Sequence, residues 1–237
     1  MFVYKNWPKA WFLLALLSAI LTFTCCSRRG GGGGAADSNI MAQVNDYKVL
    51  RSELDKAYNT QVAGSQQKPT STQEEGLRLQ ILDQIMQTRL ILQRAEKLGI
   101  KTSNDDVEAR LAKAKAPYTV EQFQKKLKDV GLTEDDYKTY LQHDLTIEKV
   151  IEKEITPKLS VSDADVNAFY DQNKAQIPPS ADESAVKHQI REKLRSELEQ
   201  VLKAAYQEEL RNGADIHNYY AEELLKNHKA ESKTETK

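Results

Sequence analysis

Cysteine is nearly missing from this 237-residue chain: both copies, Cys25 and Cys26, stand side by side near the start. A disulfide between neighbours closes a strained ring, and no other cysteine follows, so the folded part needs neither a disulfide nor a cysteine-based metal site. Chain breakers are scarce as well. Five of the 10 glycines fall in one run, Gly30 to Gly34, and only 6 prolines are present, which favours helix over the remainder. Aromatics make up 7% of the residues. No block of like charge exists, and the formal net charge is −1, which removes the electrostatic reason to expect nucleic acid as a partner. The four histidines, His143, His188, His217 and His228, are too scattered to share a metal. No Ser-His-Asp order, phosphate-binding loop or dinucleotide glycine pattern is present. The sequence therefore offers no catalytic residue, metal site or cofactor.

What is present begins with a targeting segment, residues 1–26. Lys5 and Lys9 supply its positive start, and the apolar run Trp11 to Phe23 is shorter than the roughly 20 residues a bilayer span needs. The cysteines follow at once, as in a bacterial lipoprotein signal, with Cys26 the first choice for acylation and Cys25 the second. The flanks depart from the usual pattern of Leu at −3 and a small residue at −1: Cys26 has Phe23 and Cys25 there, and Cys25 has Thr22 and Thr24. An ordinary cleaved signal with two incidental cysteines is the alternative. Residues 27–39 (SRRGGGGGAADSN) read as a flexible linker.

The segment Ser71 to Val107 is the one the rest is organised around. Leu77, Ile81, Ile85, Leu92 and Ala95 form one helical stripe, and Leu79, Leu82, Met86 and Leu90 a second beside it. A stripe this wide needs partners on two sides. Ser71 with Glu74 reads as a capping box, and Gly99 ends the helix. Similar starts recur at Ser52/Asp55, Ser103/Asp106, Thr119/Gln122, Thr133/Asp136, Ser162/Asp165 and Ser180/Glu183. They predict helices near 104–115, 120–130, 134–155, 163–174 and 181–211. A short strand is expected within Ile40–Leu50, where Asn45-Asp46 favours a turn, and another near Ile216. Acidic pairs such as Asp105-Asp106 and Asp135-Asp136 sit at helix starts, where the dipole favours them; we assign them to capping. Arg89 falls between the two apolar stripes. Either its stem lies on apolar surface with a wet head, or it pairs with a buried carboxylate. Residues 221–237 read as a polar, disordered tail.

ILDQIMQTRLILQRAEKLGIKTSNDDVEAR resembles the central helix-turn-helix of the SurA chaperone family, which includes the N-terminal parts of related parvulin-type foldases. VNDYKVLRSELDKAY is similar to that family's opening strand and first helix, and the likeness runs over residues 41–177. It returns in PPSADESAVKHQIREKLRSELEQVLKAAYQEELRNGADIHNYY, which resembles the helix and strand that close the family's chain. In the family, a parvulin prolyl-isomerase domain normally comes between these two parts. No glycine pair exists after residue 34, so its Gly-Gly loop has no counterpart. The resemblance implies an all-α, multi-helix chaperone core over residues 40–220, with a long C-terminal helix and a minor pair of short strands. It implies that the two strands lie together, and that the last long helix packs on the N-terminal helices. It implies an exported, non-enzymatic binder of unfolded or outer-membrane polypeptides, held to the membrane of the cell envelope by a lipid. Tyr118, Phe123, Tyr137, Tyr140, Phe169 and Tyr170 are the candidate peptide-binding residues, since aromatics with polar tips suit apolar-rich peptide. Half-buried helix packing is the competing reading for each. A structural lipoprotein subunit that docks one folded partner is the competing function.

Overall fold

The computed structural model describes residues 39–63, 65, 67–178 and 180–234. The targeting segment, Cys25, Cys26 and all of the linker but Asn39 lie outside them. Three strands and eight helices follow in the order β1 (Ile40–Val44), β2 (Tyr47–Leu50), α1 (Arg51–Val62), α2 (Ser71–Lys97), α3 (Asn104–Lys115), α4 (Val120–Asp129), α5 (Glu134–Glu154), α6 (Asp163–Asn173), α7 (Glu183–Asn212), β3 (Ile216–His217) and α8 (Tyr219–Thr234). The fold is mainly helical, as expected. The strands differ from expectation in number: Asn45-Asp46 turns the first one back on itself. Asn45 takes φ +53°, a left-handed position that Asn tolerates. The result is a small antiparallel sheet in the order β2-β1-β3. Gln43 and Val44 face His217 and Ile216, so the N-terminal and closing strands are neighbours as the resemblance implied.

The chain forms two compact units: residues up to Thr146 together with those from Ala214 onward, and Ile147–Gly213. In the first, α2 buries Ile81, Leu82, Ile85, Met86, Leu90, Ile91 and Ala95, and β1 and β2 bury Met41, Ala42, Val44 and Val49. Both apolar stripes of α2 are thereby used. A second apolar cluster joins Val107 and Leu111 of α3 to Phe123 and Leu127 of α4 and to Tyr140 and Leu141 of α5. In the Ile147–Gly213 unit, Val166 and Tyr170 of α6 pack with Ile190 of α7. The observed packing partner of α7 in that unit is thus α6.

Capping follows the residue types but not every position. Ser103/Asp106, Thr119/Gln122 and Ser162/Asp165 form reciprocal capping boxes. Thr133 and Asp136 exchange backbone bonds of 3.0 and 3.1 Å. At α2 the box is Thr70/Gln73, one residue before Ser71/Glu74. Glu74 instead accepts from Arg78 at 2.8 Å. At α7 the cap is Asp182, not Ser180. At α1 no side chain caps the start, because the cap position falls on Leu50; Asp55 pairs instead with Arg78 at 2.6 Å. Gly99 and Gly131 take φ +67° and +72° and close α2 and α4. In each turn two backbone N–H groups fold back on the last carbonyls, as from Ile100 to Ala95 at 2.9 Å and Leu132 to Leu127 at 2.9 Å.

A correction concerns the tail. Helix α8 occupies most of the stretch read as disordered. Its polarity is that of a solvated helix with one anchored end. Asn218 caps it through Ala221 N–H at 2.9 Å, and Tyr220 is buried. Arg51 and Glu75 then hold Glu223 and His228 at 3.6 and 3.1 Å.

Candidate binding surface

Arg89 resolves in favour of the buried carboxylate. Glu53, on the inner face of α1, is only 6% exposed, and the Arg89 guanidinium donates to its Oε1 at 3.2 Å. The Tyr47 hydroxyl donates to the other carboxylate oxygen at 2.8 Å. The guanidinium also lies over the Tyr47 ring, 4.0 Å from its centre. Strand β2, α1 and α2 are thus tied by one polar cluster in an apolar setting. Burial pushes the Glu53 carboxyl above its ordinary value against the opposing pull of Arg89 and Tyr47. Burial and the nearby Glu53 charge push the Tyr47 phenol up.

Asn45 provides a second tie. Its backbone N–H donates to Asp215 O at 2.7 Å, and its side-chain oxygen accepts from Asp215 N–H at 3.0 Å. Its amide donates to Gln93 Oε1 at 2.7 Å, while Gln93 donates to Val44 O at 3.2 Å. The hairpin turn, the entry to β3 and α2 are therefore fixed to one another.

Two hollows lie against α2 at this level, and they share Arg89, Leu92 and Glu96, a single helical stripe. The first, about 600 Å³, is walled by Asn45, Asp46 and Tyr47 of the hairpin turn. The second, about 340 Å³, is walled by Gln142, His143 and Thr146 of α5 and by Ile100–Thr102. Ala95 and Ile100 add to Leu92 an apolar floor. The Thr102 and Thr146 hydroxyls are 2.8 Å apart, and Thr146 passes its own proton to Gln142 O at 2.7 Å. Thr102 must then be the donor between them. Burial, with the Arg89 charge in support, lowers His143 to about 4, so the imidazole is neutral at physiological pH. Its Nδ1 is buried with no hydrogen-bond partner among the described residues. No group of three metal-ligating side chains occurs among those residues.

The six aromatic candidates divide between the two units and differ in burial. Phe123 and Tyr140 belong to the α3–α5 cluster and are 6% and 8% exposed. Tyr170 is 8% exposed in the α6–α7 cluster. These three are core residues: they sit on the buried faces of α4, α5 and α6. Tyr137 is half-buried and meets Phe123 edge-on at 5.7 Å. Phe169 is half-buried beneath the Lys193 ammonium, 4.5 Å from the ring centre. Tyr118 is exposed, with Lys126 over it at 4.8 Å. Sequence reasoning missed Tyr47, Glu53 and His143. The available signal was Arg89, a cation between two apolar stripes, for which pairing with a buried carboxylate was one of two readings.

Comparison with known proteins agrees with this architecture. Foldase protein PrsA of Clostridium botulinum (strain Langeland) is 28% identical over 201 residues, covering 78% of this chain and 60% of its own length. Chaperone SurA of Alcanivorax borkumensis is 29% identical over 133 residues, 55% of this chain and 31% of its own. The chain thus spans less than two thirds of the length of either relative. Residues 3–151, more than half of the chain, match the SurA-like N-terminal domain. By that match the chain belongs to the SurA-like N-terminal domain family.

Proposed function

We propose that this chain is an exported chaperone that holds unfolded polypeptides and does not isomerise prolyl bonds. The observation that carries the reading is the family match over residues 3–151, and relatives named as a foldase and a chaperone support it. Holding requires weak, reversible contact with many sequences, and a near-neutral surface suits it. Tyr118 and the half-buried Tyr137 and Phe169 would add apolar contacts. Outer-membrane polypeptides in transit are the proposed clients.

Prolyl isomerisation has a barrier of roughly 18–20 kcal/mol, and lowering it requires a compact pocket that desolvates the twisted amide. Only Pro178 to Asp182 separate the short 3-10 turn at Lys174–Gln176 and Ile177 from the start of α7, which leaves no room there for an isomerase domain. Anchoring is proposed through acylation of Cys26, or else Cys25, in the membrane of the cell envelope. A diacyl group contributes about 0.8 kcal/mol per buried CH₂. A Cys25→Ser, Cys26→Ser double variant is then expected to leave the membrane fraction.

The test of holding is suppression of aggregation of a chemically unfolded client by the full chain, run beside a protease-coupled proline-peptide assay. We expect suppression at stoichiometric ratios and the uncatalysed isomerisation rate at every protein concentration. Binding to one folded partner without any suppression would instead establish a structural lipoprotein subunit.

A further inference from the structure

We propose that the paired hollow across the Arg89–Leu92–Glu96 stripe of α2 binds a stretch of extended, uncharged polypeptide main chain. This rests on the polypeptide-holding reading and assigns it to a surface. Four observations on that surface converge. First, its charge balances. Arg89 is spent on Glu53, and the other charged residues lining the two hollows are the carboxylates of Asp46 and Glu96 and the ammonium groups of Lys97 and Lys101. A neutral lining of this kind does not select a charged ligand. Second, the walls carry the chemistry of a peptide unit. Gln142 has an exposed amide, Thr102 an oxygen left to accept after donating to Thr146, and His143 a neutral ring with one donor and one acceptor. Third, the floor of Leu92, Ala95 and Ile100 is apolar and gives side chains a place to desolvate without selecting among them. Fourth, the frame is preorganised: Asn45–Gln93 and Tyr47–Glu53–Arg89 fix the hairpin wall to α2, so the hollow does not have to be built on binding.

The six aromatic residues cannot take this role as a set, because three of them are core. Main-chain recognition also accounts for how a holding protein accepts many sequences: every client offers the same N–H and C=O groups, alternating along the strand. His143 is the sharpest point of the assignment. Its neutral ring lines the second hollow, with Nδ1 buried beneath it and without a hydrogen-bond partner among the described residues.

The test uses the full chain and a capped, fluorescein-labelled ten-residue peptide of Ala, Ser and Leu, read by anisotropy. A second peptide has alternate amides N-methylated, which removes main-chain donors and leaves the side chains in place. We expect N-methylation to weaken binding about tenfold, the loss of one or two main-chain hydrogen bonds. His143→Phe should weaken binding severalfold with helix content unchanged, and Leu92→Glu should abolish it. The same variants should lose aggregation suppression in parallel. If the wild type suppresses aggregation but both variants do so equally well, the hollow is not the holding surface and this assignment fails alone. If an acidic or basic peptide binds more tightly than the neutral one, main-chain recognition is wrong. If the wild type neither binds the neutral peptide nor suppresses aggregation, the holding reading itself fails and takes the assignment with it. Should Leu92→Glu unfold, the N-methylated peptide and His143→Phe still decide the matter.

Discussion

The two long helices, α2 and α7, carry similar apolar periodicity but are used differently. Helix α2 runs for 27 residues and buries eight of them. Helix α7 runs for 30 residues and buries only Ile190 and Tyr206. Val186, Leu194, Leu198 and Leu202 are half-buried, and Val201 is 64% exposed. The periodicity marks which face of a helix can be buried; the number of elements brought to that face decides how much is. Around α2 the chain gathers a three-stranded sheet and α1, with a polar cluster locked inside. In its own unit α7 has α6.

Substitutions can break or sharpen this contrast. The largest effect is expected at Leu82, which is fully buried: Leu82→Ala should destabilise by about 4 kcal/mol in urea unfolding, from lost transfer energy and the cavity left. Glu53→Gln is next. It leaves the Arg89 charge without its carboxylate in a place where Arg89 is 12% exposed, and should cost about 3 kcal/mol. A Glu53→Leu, Arg89→Met double variant should recover most of that loss, because both desolvation penalties disappear together. If the double variant is as unstable as the single, the cluster contributes packing and not charge pairing.

His143 gives a pH signature confined to the α2 unit. Its pKa lies at about 4 in the folded chain, below the usual histidine value of about 6.5. Between those values the unfolded chain binds more protons than the folded one. Stability therefore rises with pH across that window, and is lost as pH falls through it, by up to about 1.4 kcal/mol per pH unit. Glu53 acts in the opposite sense: with a raised folded pKa, it favours the folded state more as pH falls through that pKa. His143→Phe should flatten the dependence between pH 6.5 and 4; a slope unchanged by the substitution would assign the acid sensitivity elsewhere. Gly99→Ala, at φ +67°, should cost about 1 kcal/mol, because the left-handed position strains any residue with a Cβ. The smallest effect is expected at Val201, where Val201→Ala should stay within about 0.5 kcal/mol. Hydrogen exchange should show faster opening in residues 198–210 than in the middle of α2. A large cost at Val201 would mean that the second half of α7 has a partner in solution.

Much of the fold was readable because it is written in local chemistry. Cap residues three apart, glycine after the last helical turn and two adjoining stripes each act within a few residues of themselves. Errors of one or two positions, such as Thr70 for Ser71 and Asp182 for Ser180, arise where several capping residues compete side by side. The candidate surface was much less readable. The aromatics were visible in the sequence, but the helices that cover Phe123, Tyr140 and Tyr170 come from elsewhere in the chain, so the sequence could not show which rings are core. Arg89 left two readings open, a wet head or a buried carboxylate partner; the sequence could not show that Glu53, 36 residues earlier, decides for the second.

By itself, then, the sequence determined the order of the helices from α1 to α7 and their ends to within a few residues, and that α2 must be covered on two sides. Local hydrogen bonding and periodicity are sufficient for those. The tertiary structure alone decided three further things: that Asn45 joins the hairpin to α2 and to the entry of β3, that Glu53 and Tyr47 meet Arg89, and that a neutral hollow with His143 in its wall opens across α2. Each depends on groups distant along the chain reaching hydrogen-bonding distance, and that is set by how the apolar faces pack, which no short stretch of sequence encodes.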